Sequence, residues 1–496
     1  MFSFHISKQR LACYSYAMVA TLCMFINGYD ASVFNNIMNW TTWNEKFNNP
    51  PNNNLIGAVN SSTMVSTIVF GFFASPFISD RFGRRMSIFI GCFIIVIAAI
   101  IELVAPNIGG FIGGRVVIGM GAGISMAAGP TYMSEITPQD IRGRMLSFWQ
   151  IAYSVGALVC TYIALGTSYY PNLGQWQWGV PVLLQCAAPV ICCCLIFFCP
   201  ESPRWLIQKG RDEDARTALL RIREPQEVES ELHGIKDAIR WEQENTTQSF
   251  RDLFVTPSMR RRLLVGLVIN FGQQVTGQAM MTQYSSRVYT KIFTDQSTIT
   301  LINALNYTFG ILFTLPATFL SDRLGRRALF IIGGIGQAVM LIIAATVMLT
   351  VPQPDGHPST AVGAGVVLVM FLFTASYKPT WGATVWIYTS EMFPMNVRAV
   401  AVAVCSNTQN VAGAILAQAF PPMFASMGFK AFYVWVGCNV CLVTFVYFMC
   451  PETKGLALED IDVIFGATAH DIESTSYENE KPASIKVDES GEKTKF

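Results

Sequence analysis

Twelve apolar segments recur along the chain, each about the length of a bilayer crossing. They lie at roughly 11–35, 56–79, 86–105, 109–132, 146–166 and 179–199, and again at roughly 263–289, 298–320, 328–350, 362–388, 399–424 and 431–450. A transmembrane helix needs roughly 20 apolar residues. Lipid offers no hydrogen bonds, so each crossing must satisfy its own backbone as an α-helix. Gly and Pro interrupt many of the segments, which membrane helices tolerate better than soluble ones. The expected fold is an all-α membrane protein of twelve transmembrane helices.

Composition agrees. Hydrophobic residues are 52% of the 496, and charged residues only 14%. Soluble chains carry about 25% charge. These figures exclude a soluble enzyme, a disordered scaffold and a fibre. A net charge of +1 gives no basic face for nucleic acid. All thirteen cysteines sit in apolar runs and read as small hydrophobic filler, with no metal-ligand surroundings. None of the four histidines lies within a span, and no phosphate-binding Gly-rich lysine loop is present. No enzyme, no cofactor and no metal is expected.

Basic residues set the expected orientation. Lys8 and Arg10 precede the first span; Arg81, Arg84 and Arg85 fill the second-to-third loop; Arg142 and Arg144 the fourth-to-fifth; Arg323, Arg326 and Arg327 the eighth-to-ninth. The alternate loops hold few. Both termini are expected to be cytoplasmic, in a multi-pass protein of the plasma membrane that acts as a monomer.

Three motifs occur twice. Asp80-Arg81-Phe82-Gly83-Arg84-Arg85 returns as Asp322-Arg323-Leu324-Gly325-Arg326-Arg327. Glu135-x-x-Pro138-x-x-x-Arg142 returns as Glu391-x-x-Pro394-x-x-x-Arg398. Pro200-Glu201-Ser202 returns as Pro451-Glu452-Thr453. The offsets are nearly equal, so the chain is an internal duplication. It divides into a six-helix half at 1–199, a polar cytoplasmic linker with short helices at 200–262, a second half at 263–455 and a disordered tail at 456–496. Parallel repeats with a midplane site describe a secondary transporter that rocks between two states.

On these motifs the chain resembles the sugar porter family of the major facilitator superfamily, fungal members above all. Further signatures are Gly28-Tyr29-Asp30, Gly114-Arg115 with Gly119 and Gly121, Pro130-x-Tyr132 before Glu135, Pro203-Arg204-Trp205, Gln273-Gln274-x-x-Gly277 and Lys454-Gly455. The resemblance covers nearly the whole chain except the tail. It implies import of a sugar or related polyhydroxylated solute, with sugar, proton and lipid bilayer as the partners.

Asp30 lies deep in the first span. A carboxylate there must face the interior, find a partner or carry a proton. Arg115 in the fourth span is the nearest partner by topology. In family members similar to this one the aspartate couples proton and sugar movement, which implies proton symport; a static Asp30–Arg115 bridge is the alternative.

A sugar offers hydroxyls that donate and accept, and amides match both roles. The resemblance places Gln150, Gln273, Gln274 and Trp386 at the substrate. The second half departs from the glucose-type pattern. Gln278-Ala279 replaces Ile-Asn, Gln283-Tyr284 replaces a tyrosine pair, Gly310 takes the eighth-span asparagine position with Asn306 one turn earlier, and Gln409-Asn410 stands for Asn-Trp. Gln278, Tyr284, Asn306, Gln409 and Asn410 complete the expected set. Facilitative uniport, transport of a sugar acid or disaccharide, and nutrient sensing remain as alternatives.

Lys378 in the tenth span either snorkels to the interface or meets a substrate carboxylate. Glu102, near the end of the third span, is expected to reach the interface. Asp80, Arg84, Glu135, Arg142, Glu201, Arg204, Asp322, Arg326, Glu391 and Arg398 gather at the inner helix ends. They are expected to bridge the two halves and latch an inner gate with pairs worth about 0–1 kcal/mol each in water.

Overall fold

The computed structural model describes residues 8–48, 53–245, 252–314, 316, 320, 323–351, 358–394, 397–454 and 464–465. Nine helical stretches among them are long and apolar enough to cross a membrane, and one, Val400–Met449, holds two crossings. The first six spans are Lys8–Ile37, Asn53–Phe82, Arg84–Val104, Ile108–Ile136, Gln139–Ser168 and Trp176–Ile196. The seventh is split into Pro257–Val275 and Gln278–Tyr289, and the eighth is Gln296–Thr314. The ninth to twelfth are Arg326–Thr350, Thr360–Met392, Arg398–Met427 and Phe432–Met449. These make twelve spans in two six-helix halves.

The pairing repeats in each half. The first span packs along the fifth and the seventh along the eleventh; the third packs along the fourth and the ninth along the tenth. Between the halves the second span packs along the eleventh and the fifth along the eighth, which are the same pair after adding or subtracting six. Three linker helices, Pro203–Gln208, Asp212–Ile222 and Pro225–Asn245, close the first half. Their Trp205, Leu206, Leu219 and Val228 join the core formed by Cys13, Met133 and Ile136. Arg223 ties them down through Ile136 O at 3.0 Å and Glu231 at 2.6 and 2.8 Å.

The duplicated motifs explain each other. Gly83 (φ 96°) and Gly325 (φ 86°) start the third and ninth spans in a conformation that disfavours any Cβ. A Cβ at either would also strike the carboxylate of Glu201 or Glu452. Those carboxylates take up the free N–H groups at the helix starts. Glu201 Oε1 accepts from Arg84 N, Arg85 N and Ser202 N at 3.0, 3.1 and 2.9 Å. Glu452 accepts from Arg326 N, Arg327 N, Thr453 N and Lys454 N at 2.9–3.0 Å, using both oxygens. Tyr132 and Tyr388 donate to Pro200 O and Pro451 O, anchoring the two capping segments alike.

Burial pushes the Glu201 carboxyl above its ordinary range, and the backbone donors only partly oppose this. An acid with a raised pKa in the folded state favours folding when protonated, so its contribution falls as pH rises through the raised value. Glu201→Gln keeps an acceptor in the position of Oε1 and removes the charge. It is expected to leave thermal stability in detergent nearly unchanged at neutral pH. Glu452→Gln puts an amide where both oxygens accept, and loses about 1–3 kcal/mol. Tm values measured side by side check the ordering; equal losses would overturn this account of the caps.

Candidate functional site

The site begins at a helix crossing that only glycine permits. A Cβ on Gly28 would collide with the backbone carbonyl of Tyr153, and one on Gly156 with that of Phe25. First and fifth spans therefore touch backbone to backbone. Tyr29 is locked by its hydroxyl to Pro181 O at 2.9 Å. The next residue, Asp30, is turned inward, with 6% exposure.

Asp30 Oδ1 receives Arg115 Nη1 at 2.6 Å and Gln185 Nε2 from the sixth span at 2.7 Å. The expected partner is thus the actual one, and Gln185 adds a donor not anticipated. Glu102 corrects an expectation. It does not reach the interface; it has 0% exposure, and its Oε1 lies 3.7 Å from Arg115 Nε. The reason is Gly114, where a Cβ would strike the Glu102 side chain. Without that Cβ the third span closes on the fourth and Glu102 turns onto the guanidinium. The sequence signal was present, since an interior carboxylate needs a partner as much as Asp30 does.

The amides of the second half gather around broken backbone. Gly277 (φ 105°) splits the seventh span, and Asn439 Nδ2 takes up the freed Thr276 O at 2.9 Å. The tenth span carries a π-turn over Lys378–Gly382, with Pro379 inside it. Gln273 Nε2 holds the carbonyls of Trp381 and Gly382 at 3.0 and 3.2 Å. Gln278 donates to Thr282 at 3.0 Å, and Gln274 faces Gly413 of the eleventh span. Among the described residues, the side-chain oxygens of Gln273, Gln278, Gln283 and Asn306 have no hydrogen-bond partner. They are buried acceptors left unsatisfied by the protein's own donors.

Tyr284 is different. Its hydroxyl is committed to Ala417 O at 2.7 Å and its ring stacks on Phe420, so it is a packing residue. Trp386 is 40% exposed on an open face with Ser390, whereas Trp381 is fully buried against Phe330. Gln409 is half-buried and Asn410 exposed. Gln150 and Arg142 lie in the fifth span, but their side chains fall outside the described set, as does all of Asp322. Among three tyrosines missed in the sequence, Tyr153 stands within electrostatic reach of Tyr307 and Tyr377, and also of Asp30. Tyr307 receives Ser32 Oγ at 3.2 Å across the two halves.

Lys378 does not project freely to the interface. It is half-buried in the π-turn, and its Cε lies at ordinary van der Waals distance, 3.4 Å, from where a Cβ on Gly310 would stand. Among the described residues it has no acidic partner within 4 Å.

Among the described residues, Arg84 and Arg326 pair with acids of their own half. Arg84 meets Glu135 at 3.2 Å and Asp80 at 3.5 Å; Arg326 meets Glu391 at 2.9 Å. Arg398 donates to Phe393 O. Glu201 is a helix cap, and Arg204 lines a cleft with Asp80, Arg84 and Glu135. The physical reason is where the halves meet. Asn35 with Ser285 and Ser286, Ser61 and Asn54 with Gln418, Ser168 with Ser297 and Tyr162 with Thr308 join them in the half of the molecule away from the motif loops.

Cysteine placement also adds a fact that the sequence hid. The sulfurs of Cys23, Cys92 and Cys192, from three spans, lie within 4.8 Å of one another in the first-half core.

Comparison with known proteins fits this arrangement. The family described as "Sugar (and other) transporter" matches residues 16–465. A "High-affinity glucose transporter" of Kluyveromyces lactis is 30% identical over 90% of this chain and 84% of its own length. A "Probable quinate permease" of Aspergillus fumigatus is 30% identical over 91% and 87%. A high glucose sensor of Saccharomyces cerevisiae is 29% identical over 91% of this chain but 60% of its own length. Among solved structures, the xylose transporter XylE of E. coli in an inward-open form superposes with a TM-score of 0.76 at 23% identity, over 91% of this chain and 99% of that one. The chain belongs to the sugar transporter family of the major facilitator superfamily: it is a membrane-spanning transporter, not an enzyme.

Proposed function

We propose that the protein imports a sugar or related polyhydroxylated solute together with a proton, by alternating access. The observation that carries this reading is the buried Asp30–Arg115 pair beside amides with unused acceptors. A neutral pair inside hydrocarbon is stable; protonating Asp30 releases the guanidinium and changes what the helices around it contact. The first half would thus sense the proton while the second holds the solute through Gln273, Gln274, Gln278, Asn306, Trp386, Gln409 and Asn410, with Gln150 from the fifth span.

The motif loops carry most short-loop arginines, so we take that end, and both termini, as cytoplasmic at the plasma membrane. Contacts between halves then lie on the outer side, which makes this arrangement inward-facing. The ion pairs of Arg84 and Arg326 hold each half together here. A latch across the halves would form from the same residues in the opposite state.

A second reading is favoured by one observation. Lys378 is an amine without a counter-ion beside the glycine that replaces the usual asparagine. It suits a polyhydroxylated carboxylate, and one relative is named for quinate.

Two outcomes test these readings. In a transporter-deficient host, Asp30→Asn is expected to abolish uphill, pH-driven accumulation while downhill exchange of labelled sugar persists; accumulation that survives overturns coupling through Asp30. Lys378→Gln is expected to weaken a sugar acid about 10- to 100-fold, the worth of one charge-assisted hydrogen bond of about 1.5–3 kcal/mol, and to leave neutral sugars alone. Equal effects on both solute classes, read as competition against labelled sugar, would overturn the carboxylate reading.

A further inference from the structure

Arg115 has two carboxylates and can neutralise one. Asp30 holds it at 2.6 Å and is itself held by Gln185. Glu102 faces Arg115 Nε at 3.7 Å, beyond hydrogen-bond range. Neither Glu102 oxygen has a hydrogen-bond partner among the described residues, and neither has Arg115 Nε. Glu102 is also without any exposure. An ionised carboxylate in such a place would lack water, donors and a full counter-charge, which is the costliest state a side chain can adopt. A neutral carboxylic acid fits it.

The groups facing Glu102 offer no other compensation. Asp30 comes from the first span, Arg115 from the fourth and the neutral thiol of Cys186 from the sixth. Cys160 of the fifth span and Tyr29 stand behind Asp30. Above them the aromatic cluster of Phe34, Trp43, Phe47, Phe111 and Trp178 closes the outer side.

We propose that Asp30, Arg115 and Glu102 form one proton-binding site in which the two carboxylates share a single proton over a single guanidinium. In the arrangement seen here the proton is on Glu102 and Asp30 holds Arg115. In the exchanged arrangement the proton leaves a Glu102 oxygen for an Asp30 oxygen, and Arg115 turns from Asp30 to Glu102. The loaded set is neutral either way, with one positive and one negative group. Unloaded, it carries one negative charge, which the dry pocket disfavours, so the set binds one proton as a unit. Titration belongs to the three residues together and not to Asp30 alone. Asp30 keeps some exposure and Glu102 none, so proton exchange with solvent runs through Asp30. This proposal rests on the symport reading for its purpose, but its geometry can be tested without any solute.

The test is infrared spectroscopy of the purified, solute-free full chain over a pH series. The wild type is expected to show a protonated-carboxyl stretch at neutral pH that Glu102→Gln removes. In Asp30→Asn, Arg115 is left to Glu102, which then ionises, so the same band is expected to vanish at neutral pH and to return on acidification. A wild type lacking the band overturns the proposal. So does an Asp30→Asn protein that keeps it unchanged, because Glu102 would then be neutral independently of Asp30. The symport reading is tested separately, by recording external pH while wild-type proteoliposomes take up D-glucose and quinate. Absence of proton movement there overturns symport, while the infrared result still decides whether the proton is shared.

Discussion

Everything in this molecule answers to one constraint: hydrocarbon does not solvate charge. Arg115 sits in the fourth span and stays there because Asp30, itself held by Gln185, meets it within hydrogen-bond distance. Those contacts require the first span to lie against the fifth and the third against the fourth. The glycines at 28, 156 and 114 make that possible by giving up their side chains. The ion pair therefore specifies the packing of the first half as much as the packing creates the ion pair.

The same constraint governs the second half through backbone rather than charge. A broken seventh span and a π-turn in the tenth expose carbonyls that lipid cannot satisfy. Gln273 and Asn439 satisfy them from neighbouring helices. An amide spent on backbone still has an oxygen left, and in Gln273 that oxygen is unpaired. One side chain thus fixes the bend with its donor end and keeps a buried, unsatisfied acceptor at the other.

How much of this was legible in the sequence depends on range. Twelve spans, the duplication and the Asp30–Arg115 pair were readable, because hydropathy and the cost of buried charge act wherever the fold puts them. The pairing of Gly83 with Glu201 was not, although both were noticed. A positive φ and a carboxylate 118 positions later meet only once six helices have packed. Glu201 consequently read as a gate charge when its work is to cap a helix. Glu102 was misjudged: it was sent to the interface because its side chain is long enough to reach it. What holds it inside is the absence of a side chain elsewhere, at Gly114. A sequence shows which residues are small, but not which long neighbour will fill the vacancy.

The two halves share a scaffold and divide the chemistry. Their capping loops, tyrosine anchors and Arg–Glu pairs superimpose in kind, and those features lie at one end, where both halves face the same solvent. Towards the middle the likeness stops. The first half keeps the Asp30, Arg115 and Glu102 set and a regular fourth-span backbone; the second keeps amides with Lys378 and an interrupted seventh span. A symmetric pair of proton sites would put a second charge set in the bilayer, and a symmetric pair of solute sites would break the helices that shield the first. On the symport reading, divergence at the centre with likeness at the end would let one half change charge while the other changes shape. The contact between them, through Ser32 with Tyr307 and Asn35 with Ser285 and Ser286, is short and polar enough to transmit either change to the other.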